Sequence, residues 1–239
     1  MLDGGVVTAS SEGGALELAP AWSPEVIRAR LSELRRRIEG VGGDVDKVRI
    51  VAVAKTFPLA AIRAALRAGL VDFGENYADE LCAKAAELAD EPVIKWRFIG
   101  AIQRNKLARL APYVSCYEGV TRIEEGRDIA RRAPDATVFV EVDTTGLAGR
   151  NGVSPEEAPA LIRALRELPI AVEGLMTVAP LGGGAAAENC FRLVAELARD
   201  LGLSQCSMGM SEDLEIAVAA GATEIRVGTS LFGPRAPNR

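Results

Sequence analysis

Apolar runs and helical patterns alternate along the chain from residue 23 onward. The first pattern predicts a helix over residues 24–39, because Ser23 and Pro24 form a typical helix start and apolar residues then recur at helical spacing. Further helical patterns occupy residues 59–68, 77–89, 156–168 and 186–201. Short apolar runs between them predict eight strands, at residues 48–55, 71–75, 95–100, 114–118, 136–143, 170–177, 205–209 and 224–228.

This alternation predicts an α/β fold, a single (β/α)8 TIM-type barrel with an additional N-terminal helix. An open, doubly wound sheet is the alternative. Closure is favoured because residues 231–239 are too few for a long helix after the last strand, so the helix over residues 24–39 would cover that flank. With 239 residues, 49% of them hydrophobic, we expect one barrel domain over residues 21–239 and a flexible tail over residues 1–20.

Composition and charge argue against several classes of function. The net charge of −5 and the lack of a basic stripe argue against nucleic-acid binding. The chain has no histidine, which excludes hydrolases built on a serine–histidine or cysteine–histidine pair. Its four cysteines are far apart in sequence, so we expect neither a metal site nor disulfides. No apolar run is long enough to span a bilayer, and we expect a cytoplasmic monomer without a membrane partner.

A lysine stands at the end of the first predicted strand. Lys55 alternates with Val51 and Val53 and therefore shares their face of the strand. If that face lines an interior, poor solvation lowers the lysine pKa and leaves an amine that can form an imine with a carbonyl group. Lys55 is thus a candidate Schiff-base lysine. A charged residue at the exposed tip of a buried strand is the structural alternative.

The eighth predicted strand contains an arginine between two aliphatic residues. Arg226 would point inward if Ile225 and Val227 face the helices. An inward arginine needs an anionic or polar partner. That partner is either a ligand or a carboxylate of a neighbouring strand, such as Glu141 or Glu173.

Other polar groups stand at the ends of strands, where TIM-type barrels carry their reactive groups. Gly228 and Thr229 suit a phosphate group, although an ordinary strand-to-loop turn is the favoured interpretation of this pair in isolation. Ser211 is a helix N-cap, a phosphate contact, or both. Asn76 either contacts a ligand or caps the next helix.

Several motifs occur in the order found in one known family. From about residue 24 to residue 235 the chain resembles the pyridoxal phosphate homeostasis protein family, whose fold resembles the barrel domain of alanine racemase. The resemblance rests on Val51-Ala-Val-Ala-Lys55-Thr56, Phe73-Gly-Glu-Asn76-Tyr77, Phe98-Ile-Gly100, Gln103-x-Asn105-Lys106, Gly174-Leu-Met176, Met208-Gly-Met-Ser211-x-Asp213 and Arg226-Val-Gly228-Thr229.

The resemblance implies a site for pyridoxal 5'-phosphate (PLP) and a role in intracellular vitamin B6 homeostasis. It implies that Lys55 holds PLP as a Schiff base and that Ser211, Gly228 and Thr229 surround the phosphate. It also implies that Arg226 lies beside the pyridine nitrogen. Because arginine cannot accept a proton, that nitrogen would stay unprotonated and the ring would be a weak electron sink. We count Asn76 among the cofactor-binding residues and expect no catalytic residue.

The chain departs from the family pattern at three places. Arg97 stands where the family often has histidine, and Ala101-Ile102 replaces the usual proline-leucine pair. Arg150-Asn151-Gly152 occupies the place of a Lys-x-Gly motif, which questions any role for a second lysine in cofactor transfer.

Two functions follow from the resemblance. The first is a non-catalytic carrier that buffers PLP and passes it to PLP-dependent apo-enzymes. The second is an amino-acid racemase on the same barrel. A racemase needs a second base, which the resemblance to alanine racemase places in an additional β domain. We expect no such domain here, and Tyr77, Tyr113 and Tyr117 give no signal for the role. The carrier is therefore favoured.

Overall fold

Eight parallel strands form a closed barrel in which sequential neighbours pair and β1 also pairs with β8. The computed structural model describes residues 22–147, 149–180 and 182–234. The predicted (β/α)8 barrel is confirmed, whereas the predicted tail over residues 1–20 lies outside the described residues. The strands are β1 Arg49–Val53, β2 Asp72–Glu75, β3 Lys95–Phe98, β4 Val114–Val120, β5 Thr137–Glu141, β6 Ala171–Met176, β7 Gln205–Ser207 and β8 Glu224–Val227.

Helices surround the barrel on its outer side. In the part of the chain that the structure describes, no helix combines the length and apolarity that a membrane span requires. A 3-10 helix at Arg104–Lys106 precedes α4. The α-helices are α1 Pro24–Gly40, α2 Leu59–Arg67, α3 Ala78–Glu87, α4 Leu107–Leu110, α5 Ile123–Arg132, α6 Ala158–Arg166, α7 Gly184–Asp200, α8 Leu214–Ala219 and α9 Thr229–Phe232.

Residues along each strand alternate between two sides of the barrel. One side faces the surrounding helices, and the other faces the barrel interior. Outward residues such as Ala52 and Ile225 pack with the helices in the main hydrophobic cluster. The interior has a small separate cluster of Cys116, Phe139 and Met176. Other interior positions carry the inward valines of β1, Val51 and Val53, and the charged side chains described below.

Helix α1 covers the flank at which the barrel closes, as the sequence predicts. Its start is capped, because Ser23 Oγ accepts a hydrogen bond of 3.2 Å from the Val26 amide. The helix packs against α2, α8 and α9. Trp22 Nε1 donates to the carbonyl oxygen of Phe232 at 3.1 Å, which ties the start of α1 to the end of α9.

Candidate functional site

Lys55 lies at the C-terminal end of the barrel, in the turn after β1. Its side chain is half-buried. The following residue, Thr56, has a φ of 66°, in the left-handed region that β-branched residues rarely adopt. The γ-methyl groups of Val51 and Val53 lie beside Gly74 of β2, so the lysine follows a strand whose inward residues are valines.

Two neighbouring strands bring other predicted site residues beside Lys55. Val53 pairs with Gly74, so Asn76, two residues after Gly74, follows β2 at the level of Lys55. On the other side Ala52 pairs with Val227, and Gly228 and Thr229 follow directly. The order β2–β1–β8 therefore places Lys55 between Asn76 and the Gly-Thr turn.

Asn76 carries a buried polar atom without a partner. Its Oδ1 is buried and accepts no hydrogen bond from the described residues. Of the two alternatives for Asn76, capping of the next helix is not observed, because Tyr77 occupies the N-cap position of α3. A buried, unpaired carbonyl oxygen is costly and commonly marks a ligand contact. The backbone here is also close to β3, since a Cβ atom built on Gly100 would stand 2.2 Å from the Asn76 carbonyl oxygen.

Hydroxyl groups converge after β7 and β8. Ser211 Oγ accepts a hydrogen bond of 3.2 Å from the Ser230 amide and lies 3.3 Å from Thr229 Oγ1. Ser211 is not the N-cap of α8. That position belongs to Asp213, which accepts a 2.6 Å hydrogen bond from the Met210 amide. Two hydroxyls and a backbone amide thus meet where the sequence predicts a phosphate group.

Arg226 points into the barrel, as predicted from its aliphatic neighbours. Its side chain donates to Ser207 Oγ and to the Thr177 carbonyl oxygen, both at 2.7 Å. These partners replace the salt bridge to Glu141 or Glu173 that the sequence left open. Ser207 and Thr177 are site residues that sequence reasoning missed, because only the register of distant strands brings them to Arg226.

The residues present fit a PLP group in three respects. An amine, a guanidinium and a pair of hydroxyls lie at one end of the barrel, and these match an aldehyde, a pyridine nitrogen and a phosphate. The buried Oδ1 of Asn76 lies at the same end of the barrel and has no hydrogen-bond donor among the described residues. The closed order of the strands brings these groups to the same end of the barrel.

Comparisons with known proteins agree with this geometry. The family model described as "Alanine racemase, N-terminal domain" matches residues 25–236. The pyridoxal phosphate homeostasis protein of Pseudomonas aeruginosa is 41% identical over 212 residues, which cover 85% of this chain and 92% of that protein. The protein of the same name from Deinococcus radiodurans is 38% identical and matched over 99% of its length.

The chain belongs to the pyridoxal phosphate homeostasis protein family.

A solved structure supports the same assignment. PipY of Synechococcus elongatus, determined without PLP, is 34% identical and superposes with a TM-score of 0.79, covering 87% of this chain and 100% of PipY. The structure of PipY with PLP bound covers the same shares with a TM-score of 0.74.

The first departure from the family pattern, Arg97, lies in a buried network of charges. Its Nε is 2.6 Å from Glu118 Oε1, and its Nη2 is 2.7 Å from Glu224 Oε2. The guanidinium carbon lies 5.6 Å from the centre of the Phe139 ring. Ser207 Oγ donates to Glu118 Oε2 at 2.6 Å, so the network continues to the hydroxyl that holds Arg226.

The two buried acids of this network have opposite pKa shifts. Burial raises the pKa of Glu224 to about 8; Glu118 adds to the rise, and Arg97 opposes it. Burial also acts to raise the pKa of Glu118, but the guanidinium groups of Arg97 and Arg226 lower it below its ordinary value. Near neutral pH Glu118 is therefore ionised, and Glu224 holds a proton.

The third departure, Arg150, has its side chain tied to the backbone. Its Nη1 and Nη2 donate to the carbonyl oxygens of Val178 and Ala179 at 2.9 and 3.3 Å. The adjacent Asn151 donates through Nδ2 to Glu141 Oε2. This segment thereby joins the loop after β5 to the end of β6.

We predict that Glu224→Gln flattens the pH dependence of stability. Between the unfolded pKa near 4.5 and the native pKa of about 8, the native Glu224 keeps a proton that the unfolded chain has lost. The free energy of unfolding of the wild type therefore falls between pH 5 and pH 9, by an amount on the order of a few kcal/mol. Urea titrations across this range measure the slope. The exposed Glu39→Gln is the control and should keep the wild-type slope; an unchanged slope in Glu224→Gln would contradict the assignment.

Proposed function

We propose that the protein is a non-catalytic carrier that binds PLP and buffers its reactive aldehyde for intracellular vitamin B6 homeostasis. The observation that carries this proposal is the convergence of Lys55, Asn76, Arg226 and the Ser211–Thr229 hydroxyls at one end of the barrel. Family membership and the PLP-bound structure of PipY support the choice of ligand.

Each site residue receives one role in this proposal. Lys55 supplies the amine that holds the cofactor covalently. Ser211, Gly228 and Thr229 surround the phosphate, and Asn76 meets a polar group through its orphaned Oδ1. Arg226 lies beside the pyridine nitrogen. Bound PLP supplies an aldehyde and an electron-withdrawing ring.

The fixed position of Arg226 favours a carrier over a racemase. Two of its nitrogens donate to Ser207 and Thr177, so the guanidinium is held in place and has no lone pair with which to accept a proton. A pyridine nitrogen beside it stays unprotonated, which weakens carbanion chemistry. The tyrosines offer little support for a second base, because Tyr77 is 58% exposed and burial raises the pKa of Tyr117 far above its ordinary value.

The proposal also covers the setting in which the carrier acts. We propose that it works in the cytoplasm as a monomer and passes PLP to PLP-dependent apo-enzymes.

We predict no turnover of amino acids by the PLP-loaded protein. The physical reason is that the pyridine nitrogen beside Arg226 stays unprotonated, so the cofactor ring is a weak electron sink. Purified protein loaded with PLP is incubated with a panel of L-amino acids, and chiral chromatography follows the appearance of D-isomers or decarboxylated products. Steady multiple turnover of any panel member would replace the carrier by the racemase or a related enzyme.

We predict that Lys55→Ala abolishes covalent attachment of PLP while the protein remains folded. The measurement is borohydride reduction of the loaded protein followed by peptide mass spectrometry. In the wild type the added mass should lie on the peptide containing Lys55. The control, Lys95→Ala, removes an exposed lysine at the start of β3 and should keep the modification. A label on another lysine would place the cofactor elsewhere.

We predict that Ser211→Ala weakens binding of PLP more than binding of pyridoxal, which lacks the phosphate. Loss of a hydroxyl that meets a charged group corresponds to roughly a tenfold fall in affinity. Fluorescence titration gives both dissociation constants. Ser204→Ala, an exposed serine just before β7, is the control. Equal losses for the two ligands would argue against a phosphate contact at Ser211.

A further inference from the structure

Two side chains of α3 hold the turn that carries Lys55. Lys84 Nζ donates to the carbonyl oxygen of Ala54 at 2.7 Å. Glu80 Oε1 accepts from the Thr56 amide at 2.6 Å. The two side chains also pair with each other, with 2.7 Å between Lys84 Nζ and Glu80 Oε1. We call Glu80 and Lys84 the α3 clamp.

The α3 clamp holds both peptide groups that flank Lys55. The Ala54 carbonyl oxygen belongs to the peptide group before the lysine, and the Thr56 amide belongs to the one after it. Since the backbone φ and ψ of a residue are rotations between its two peptide planes, fixing both planes fixes the backbone of Lys55. The direction in which the Lys55 side chain leaves the backbone is thereby fixed as well.

The held turn is strained, and its tie to Lys84 is buried, whereas its hydrogen bond to Glu80 is exposed. Thr56 has a φ of 66°, a conformation that costs on the order of 1 kcal/mol or more unless the surroundings impose it. The Lys84 side chain is only 10% exposed and also meets Glu75 Oε1 at 2.7 Å. Burial raises the pKa of Glu75 to about 7, although the ammonium groups of Lys84 and Lys55 oppose the rise.

A buried ion pair such as that of Lys84 with Glu75 adds little stability by itself. Apolar residues of similar size at such positions are often as stable or more stable, whereas buried ionic groups fix one arrangement. Here the arrangement that is fixed is the backbone on both sides of the predicted attachment point. The clamp therefore suits positioning better than simple packing of α3 on β2.

We propose that Glu80 and Lys84 are positioning residues that hold the Lys55 amine for covalent capture of the cofactor aldehyde. The proposal rests on the proposed function and adds two residues of a helix outside the barrel, which contact the backbone of the turn that carries Lys55. Without the clamp, the turn after β1 would relax from its strained conformation, and the amine would spend less time in the reactive direction.

The principal test compares two ligands in Glu80→Ala. PLP binding includes covalent capture by Lys55, whereas pyridoxamine 5'-phosphate has no aldehyde and reports only the phosphate and ring contacts. Glu80→Ala should lower the affinity for PLP roughly tenfold or more and leave the affinity for pyridoxamine 5'-phosphate unchanged. Glu80→Gln retains an oxygen acceptor for the Thr56 amide and should show a smaller loss.

The matched control lies one residue earlier on the same helix. Asp79→Ala also removes an acidic side chain of α3, but Asp79 is exposed and pairs with Lys106 and Arg109. Asp79→Ala should bind both ligands like the wild type. Equal PLP affinity in Glu80→Ala and wild type, or an equal loss in Asp79→Ala, would overturn the proposal.

A second measurement works on the protein without any cofactor. Hydrogen exchange of the Thr56 amide should be faster in Glu80→Ala than in the wild type and unchanged in Asp79→Ala, while amides of β5 remain protected in all three proteins. Unchanged exchange at Thr56 would contradict the clamp. If the wild type fails to bind PLP, the proposed function fails, and the exchange result still decides whether the clamp holds the turn.

Discussion

The parallel pairing of β1 with β8 brings the first and the last strand side by side. Ala52 lies opposite Val227, so the turn with Lys55 and the turn with Thr229 become neighbours although more than 170 residues separate them. In an open sheet these strands would lie apart, and the amine and the hydroxyl cluster would not share a site. Closure of the barrel is thus the condition for every role proposed here, and α1 stabilises that closure from outside.

The barrel interior shows how such a site can carry many charges. Arg97 and Arg226 enter the interior from β3 and β8, and Glu118 lies between them, bonded to the first directly and to the second through Ser207. Each guanidinium is thereby held in place by groups of the protein itself. A bound cofactor therefore meets a preorganised surface, and binding needs little reorganisation.

The order of elements and several site residues could be predicted from the sequence, because they depend on local periodicity. The strands lie within two residues of the predicted bounds at every end, and the aliphatic neighbours of Arg226 fix its inward direction. Glu80, Lys84 and Ser207 could not be found in this way. Their roles depend on contacts across the sheet or between helix and turn, for which alternation along one strand carries no information. The orphaned oxygen of Asn76 likewise emerges only from three-dimensional packing.

The anchoring of α1 has a consequence for synthesis of the protein. Trp22 and Arg30 bond to the carbonyl oxygens of Phe232 and Leu231, directly after the Gly-Thr-Ser turn. On the ribosome Lys55 therefore emerges long before β8 and the Gly-Thr-Ser turn. A nascent chain has the lysine but lacks the residues that surround it in the folded protein. Under the proposed function, cofactor loading therefore follows the synthesis of β8 and α9, which complete the site around Lys55.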